Sequence, residues 1–202
     1  MARHPTAPTA APRRGRPRSQ RARRAVLDAA RAIVERGGYQ AATIEAIAAR
    51  SGVAKTTIYR SWPNRAALIV DLLMQMAGDA VPLPSGSDPL GAVRTEMRGI
   101  AAAADHLMGR LLTSLVGEAQ HDPEVRTALL NGLFHPRSNA TAKMVHKAQT
   151  AGLLRKDIPA QVAVDLLVGP LFYRMLVRHR PLTDSFVTQV FRVVTAGLER
   201  RH

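Results

Sequence analysis

The sequence predicts an all-α fold with two parts. A three-helix, helix-turn-helix unit comes first, and a larger helical unit follows. Three observations carry this. Apolar residues recur every three to four positions in segment after segment. Helix-start signals precede those segments at Thr43, Asp88-Pro89 and Asp122-Pro123. No segment shows the apolar-polar alternation of a strand.

Residues 1–18, "MARHPTAPTAAPRRGRPR", have no apolar period and read as a disordered basic arm. Ser19 is placed to cap a first helix with Ala22, Val26, Ala30 and Ile33 on one stripe, ended by Gly37-Gly38. Thr43 caps a short second helix with Ile44, Ile47 and Ala48 inward, and Glu45 in its first turn suits the helix dipole. Ser51-Gly52 makes a tight turn. The third helix, "AKTTIYRSW", places Ala54, Ile58 and Trp62 on a narrow inner stripe and Lys55, Thr56, Tyr59 and Arg60 on the outer arc. Pro63 stops it, and a fourth helix runs through Ala67, Leu68, Leu72 and Met76.

"GDAVPLPSGSDP" reads as a linker. Asp88-Pro89 opens a helix through Val93, Met97, Ile100 and Ala104, and another runs from about His106 to Ala119. Asp122-Pro123 opens a further helix, interrupted by Pro136 and resumed through Met144, Val145 and Ala148 to Gly152. "DIPAQVAVDLLVGPLFYRMLVRHR" is a long apolar helix that Gly169-Pro170 should kink. The last helix carries Phe186, Val190, Val193, Val194 and Leu198 on one face. The apolar faces of residues 158–178 and 184–198 are too extensive for one subunit to bury, so a homodimer is expected, with Leu166, Leu167, Val190, Val194 and Leu198 in its interface.

Charge separates the two parts. Residues 1–76 hold 14 Lys and Arg against 4 Asp and Glu, a balance of 14 − 4 = +10. The remaining residues hold 15 against 11, a balance of 15 − 11 = +4. A basic front end on a near-balanced remainder is the footprint of a polyanion-binding module, or of a soluble arginine-rich protein. Absence of Cys excludes disulfides and thiolate metal sites and fits a reducing cytoplasm. No GxSxG, P-loop or HExxH pattern appears, so no enzyme, cofactor or metal assignment arises. His135 and His146, 11 residues apart, read as solvated or packed side chains rather than metal ligands. The most apolar run is broken by Asp165 and Arg174, and no membrane span is expected.

Residues 43–62 therefore read as helix, Gly-containing turn, helix, the layout whose second helix enters the major groove of double-stranded DNA. Lys55 and Arg60 can reach guanine edges or phosphates, Thr56 a thymine methyl or a phosphate, and Tyr59 a phosphate. Thr43 offers a hydroxyl and a helix N-terminus to a phosphate as well as an ordinary cap. "RRGRPR" brings Arg14, Arg16 and Arg18 around a Gly-Arg-Pro core, either as an A·T minor-groove reader or as an electrostatic tether.

The stretch "YQAATIEAIAARSGVAKTTIYRSWPNRAALIVDLL" resembles the signature of the tetracycline-repressor (TetR) family. The family's pattern falls on Thr43, Ile47-Ala48, Gly52-Val53, Thr57-Ile58-Tyr59, Trp62, Arg65 and Leu68, and the likeness covers about residues 20–73. Trp62 stands for the usual Phe, Ala54 for a frequent Ser, Ser61 for a frequent His, and Arg65 for the common Lys with its phosphate-seeking charge. "DIPAQVAVDLLVGPLFYRMLV" is similar to the C-terminal part of one subgroup. The resemblance implies DNA binding by residues 19–66, Thr57 and Arg65 included, at a palindromic operator. It also implies an effector-binding and dimerisation unit over residues 67–202, its last two helices forming a four-helix dimer interface. Met97, Met108, Leu111, Leu112, Leu115, Phe134, Met144 and Phe172 become candidate walls of a pocket for a small apolar effector, with His106, Arg110, Thr113 and Tyr173 as polar neighbours. Plain core is the competing reading for each apolar residue. The implied function is a cytoplasmic dimeric repressor released by an effector. The alternatives are an architectural, nonspecific DNA-binding protein with no inducer, and a helical enzyme or carrier with an incidental motif.

Overall fold

A computed structural model describes residues 16–199 of the chain. Among the described residues every regular element is helical. They are α1 (Arg16–Ala41), α2 (Ile44–Ser51), α3 (Lys55–Ser61), α4 (Arg65–Ala80), α5 (Pro89–Ala103), α6 (Leu107–Glu118), α7 (Pro123–Leu129), a π turn (Leu130–Phe134), α8 (His135–Thr150), α9 (Ala160–Val177) and α10 (Asp184–Leu198).

The caps form where side-chain oxygens can meet the free amides of a first turn. Thr43 accepts from the Ala46 amide, Asn64 from Ala67, Asp88 from Gly91, Asp122 from Glu124 and Val125, and Thr183 from Phe186. Gly52 closes α2 in the left-handed region (φ 67°), and its amide donates to the Ala48 carbonyl.

Several boundaries differ from the sequence expectation. Helix α1 is already formed at Arg16, so Ser19 lies inside it rather than at its cap. Gly38 leaves helical geometry (φ 69°, ψ −172°), but helical residues resume as far as Ala41. Gly78, Asp79 and Ala80 belong to α4, not to a linker, and Val81 is buried behind them. Pro136 does not interrupt its helix. The π turn sits just before it and re-registers the backbone ladder where the proline lacks a donor. Gly132 within that turn packs against α4, because a Cβ there would lie 2.6 Å from Val70 Cγ1. Helix α9 runs unbroken through Pro170.

Two apolar clusters organise the packing. One runs from Val26, Ala30 and Val34 of α1 through Ile47, Ile58 and Trp62 into Leu68, Ile69 and Leu73 of α4, and on to Leu111 and Leu115 of α6 and Leu129 and Leu133 beyond. Helices α1 to α3 thus share a core with the helices behind them. Two side-chain bonds reinforce the junction, Gln40 Nε2 to Glu118 Oε2 at 3.1 Å and Asn64 Nδ2 to Glu124 Oε2 at 2.9 Å. The second cluster joins Val93 and Met97 of α5, Met144 and Val145 of α8, Val164, Leu167 and Leu171 of α9, and Val187 and Leu198 of α10.

Helix α9 is long and apolar enough to cross a bilayer by length and composition. Its inner face is packed into the bundle, while Val162, Leu166, Tyr173, Leu176 and Val177 stand exposed at helical spacing on the opposite face. Val193 of α10 is 66% exposed. Two of the expected interface residues, Leu167 and Leu198, lie off this exposed face. Leu167 is fully buried within the protomer and Leu198 nearly so, while Val190 and Val194 are half-buried against the second cluster. Of the five, Leu166 alone is an exposed large apolar side chain.

Candidate nucleic-acid interface and internal cavity

Helix α3 is too short to be stable by itself, so its neighbours must hold it. Ile58 is fully buried, and Trp62, its C-terminal cap, is 4% exposed. The Trp62 indole Nε1 donates to Asp71 Oδ2 of α4 at 2.8 Å. The same carboxylate takes Arg23 of α1 at 2.6 Å, and the Arg23 guanidinium lies over the Trp62 ring, 5.4 Å from its centroid. One carboxylate therefore ties α1, α3 and α4 together. Ala54 departs from the expected inner stripe. It is exposed, and as the α3 N-cap it supplies no side-chain bond.

Lys55, Thr56, Tyr59 and Arg60 are all exposed, and Thr57 is half-buried beside them. Lys55 Nζ contacts Glu45 Oε1 of α2 at 2.6 Å. This hydrogen bond holds the Lys55 ammonium above and the Glu45 carboxyl below their ordinary ranges. Among the described residues, Tyr59 and Arg60 have no side-chain hydrogen bond or ion pair. Arg65 stacks over the Tyr39 ring at 4.2 Å, where burial, the leading cause, raises the Tyr39 hydroxyl. Arg14 lies outside the described residues, as do the side chains of Arg16 and Arg18.

Behind this face is a cavity of about 380 Å³, bounded by α4, α5, α6, the π turn, α8 and α9. Of the expected wall residues, Met108, Leu112, Phe134 and Phe172 line it, the two phenyl rings 5.5 Å apart. Met97, Leu111, Leu115 and Met144 do not; they are buried in the two cores. Tyr173 faces outward, 59% exposed, against His179. His106, Arg110 and Thr113 also lie off the cavity wall, Arg110 bonding the Asp105 carbonyl and Thr113 that of Gly109.

The polar groups that do line the cavity are Glu96, His135, Arg137, Ser138, Thr141 and Asp165, none of them expected. Glu96 is 3% exposed. Its Oε1 takes Arg137 Nη1 at 3.3 Å and its Oε2 takes the Thr141 hydroxyl at 2.7 Å. Burial dominates and raises the Glu96 carboxyl, although both partners pull the other way. Arg137 Nη2 also donates to the Ala77 carbonyl at 3.3 Å and to that of Val81, at the end of α4. Polar residues three to five positions apart on α8 carry no sign of facing inward unless the tertiary packing is known.

The family comparisons agree with this architecture. Residues 26–72 match the model of the bacterial regulatory proteins of the tetR family, and residues 84–194 match the tetracyclin repressor-like C-terminal domain. The chain belongs to the TetR family. It is a helix-turn-helix transcriptional regulator. Over 187 residues it is 30% identical to the uncharacterized HTH-type transcriptional regulator YdeS of Bacillus subtilis, covering 93% of this chain and 94% of that one. It is 29% identical over 170 residues to the DNA-binding transcriptional repressor TetR of Mycobacteroides abscessus, covering 81% and 86%. The crystal structure of the TetR family transcription regulator SCO0332 superposes with a TM-score of 0.76 at 30% identity, covering 89% of this chain and 99% of that one.

Proposed function

We propose that this TetR-family regulator is a homodimeric, cytoplasmic repressor that reads a palindromic operator with α3 and leaves it when an effector with an apolar body fills the cavity. One observation carries the effector half. Leu73 and Ala77 of α4, with Val81 just beyond it, form a cavity wall, and α4 begins four residues after α3 ends. A ligand that favours another cavity shape acts directly on the helix that holds Trp62 through Asp71. It shifts operator binding only by its difference in affinity for the two shapes.

The DNA half rests on the exposed Lys55, Thr56, Tyr59 and Arg60, with Thr43 at the start of α2 and Thr57 beside them as backbone-facing groups. Arg65, stacked on Tyr39, is proposed to reach a phosphate from that position. The dimer half rests on the outward stripe Val162, Leu166, Tyr173, Leu176 and Val177 with Val193, which a second copy would cover as a four-helix interface. Repression follows the named activity of the Mycobacteroides relative.

Selection of bound duplexes from a random-sequence pool tests the reading. A motif of two inverted half-sites is the expected result. Uniform recovery of sequences, with smooth protection along any duplex, would leave the architectural alternative in its place.

A further inference from the structure

Among the polar groups of the cavity wall, Glu96, Arg137 and Thr141 are joined by hydrogen bonds, and Arg137 keeps donors in reserve. A guanidinium offers five N–H groups and no acceptor. Arg137 spends three: one Nη1 on Glu96 and two Nη2 on the Ala77 and Val81 carbonyls. Its Nε and a second Nη1 hydrogen remain. Each Glu96 oxygen accepts one hydrogen bond, which uses two of the carboxylate's roughly four lone-pair sites. The guanidinium on this wall therefore keeps N–H groups that an incoming acceptor can use.

We propose that Arg137 is the head-group receptor of the cavity, that its ligand is an amphiphile with a carboxylate on an apolar body, and that the same guanidinium reports occupancy to α4. This rests on the cavity being the effector site.

The charged and titratable wall groups are Glu96 on α5, His135 and Arg137 at the start of α8, and Asp165 on α9; α4 and α6 contribute none. Asp165 is exposed, so water screens it. Glu96 is the partner that yields, because burial already favours its protonated form. A cation would instead have to displace Arg137, which also holds two carbonyls at the end of α4. A carboxylate that draws Arg137 toward itself weakens those two bonds, and the end of α4 loses its anchor.

Calorimetric titration of the full-length protein with decanoate, decanol and decylammonium compares three heads on one tail. Decanoate is expected to bind at least about tenfold more tightly than decanol, the worth of a charge-assisted hydrogen bond, with decylammonium weakest. Glu96→Gln should raise the preference for decanoate. Glu96→Gln with Arg137→Gln, which leaves no orphaned charge, should erase that preference while decanol binds as before. Arg137→Lys, which keeps the charge and loses the fork, should cut the preference and serves if the double variant does not fold. Leu112→Trp, which fills the cavity, should remove all binding. In the wild type, decanoate should release a selected operator duplex; in the double variant it should not. A preference for decylammonium, or a decanoate preference that survives the double substitution, overturns the proposal. Decanol binding blocked by Leu112→Trp with no decanoate preference sinks Arg137 alone and leaves the cavity reading standing. No binding by any of the three, or binding indifferent to Leu112→Trp, sinks both.

Discussion

Asp71 carries a prediction that separates two kinds of contact made by one side chain. Its carboxylate accepts from the buried Trp62 indole at 2.8 Å and pairs with Arg23 at 2.6 Å. The Arg23 side chain is 50% exposed, so the ion pair contributes about 0–1 kcal/mol. The indole N–H lies under a ring that is 4% exposed, and leaving it unpaired costs about 1–3 kcal/mol. Asp71→Asn keeps an acceptor for the indole and loses only the ion pair. Asp71→Ala loses both. At a chain length near 200 residues, 1 kcal/mol moves Tm by about 2–4 °C. A loss of about 2 kcal/mol in Asp71→Ala therefore lowers Tm by about 4–8 °C, while Asp71→Asn shifts it by about 0–4 °C. Thermal melting at one fixed protein concentration is the assay, with emission from Trp62, the only tryptophan, as a local probe. Asp71→Ala should also weaken DNA binding, since α3 loses its tie to α4. Equal losses in the two variants would show that the ion pair, not the indole bond, holds the end of α3.

Leu166→Glu with Val193→Glu, both on the outward apolar face, should give a folded monomer in sedimentation with little operator binding; an unchanged dimer would move the interface elsewhere. Glu45→Gln frees Lys55 for phosphate. Nonspecific DNA affinity should rise, and the slope of log affinity against log salt should steepen by roughly two units per dimer, at about 0.9 per phosphate neutralised. Burial raises the folded-state value for Glu96, so the stability that its protonated form contributes is complete below its ordinary 4.5 and is lost as pH rises above it. Urea titrations should accordingly show Glu96→Gln gaining on the wild type as pH climbs from about 4.5 toward neutrality; a gap that narrows with rising pH would contradict the assigned cause.

The helix starts were legible because capping is local: Thr43, Asp88 and Asp122 act within three residues of their own positions. The outer arc of α3 was legible because an amphipathic helix states its faces in its spacing. Helix α9 offers no such contrast. It is apolar nearly all round, so periodicity could not tell exposed Leu166 from buried Leu167. The cavity was illegible for a related reason. Met97 and Leu111 are as apolar as Met108 and Leu112, and only the path of the backbone decides which of them faces empty space. Nothing in the local sequence marks Glu96, Arg137 and Thr141 as a cluster; α5 and α8 bring them together only in the packed fold. Pro136 misled because the expectation for a proline assumes an α ladder, and a π turn removes the conflict.

The central claim is that the exposed arc of α3 reads the groove in a two-fold pair. Hydroxyl-radical footprints on a selected duplex, for the wild type and for Lys55→Ala with Arg60→Ala, test it most directly. The account predicts two symmetric protected half-sites for the wild type. In the variant, affinity should fall about 5- to 150-fold for each base-reading side chain removed, with the footprint gone and the circular dichroism unchanged. A well-folded variant with the wild-type footprint and affinity would contradict it.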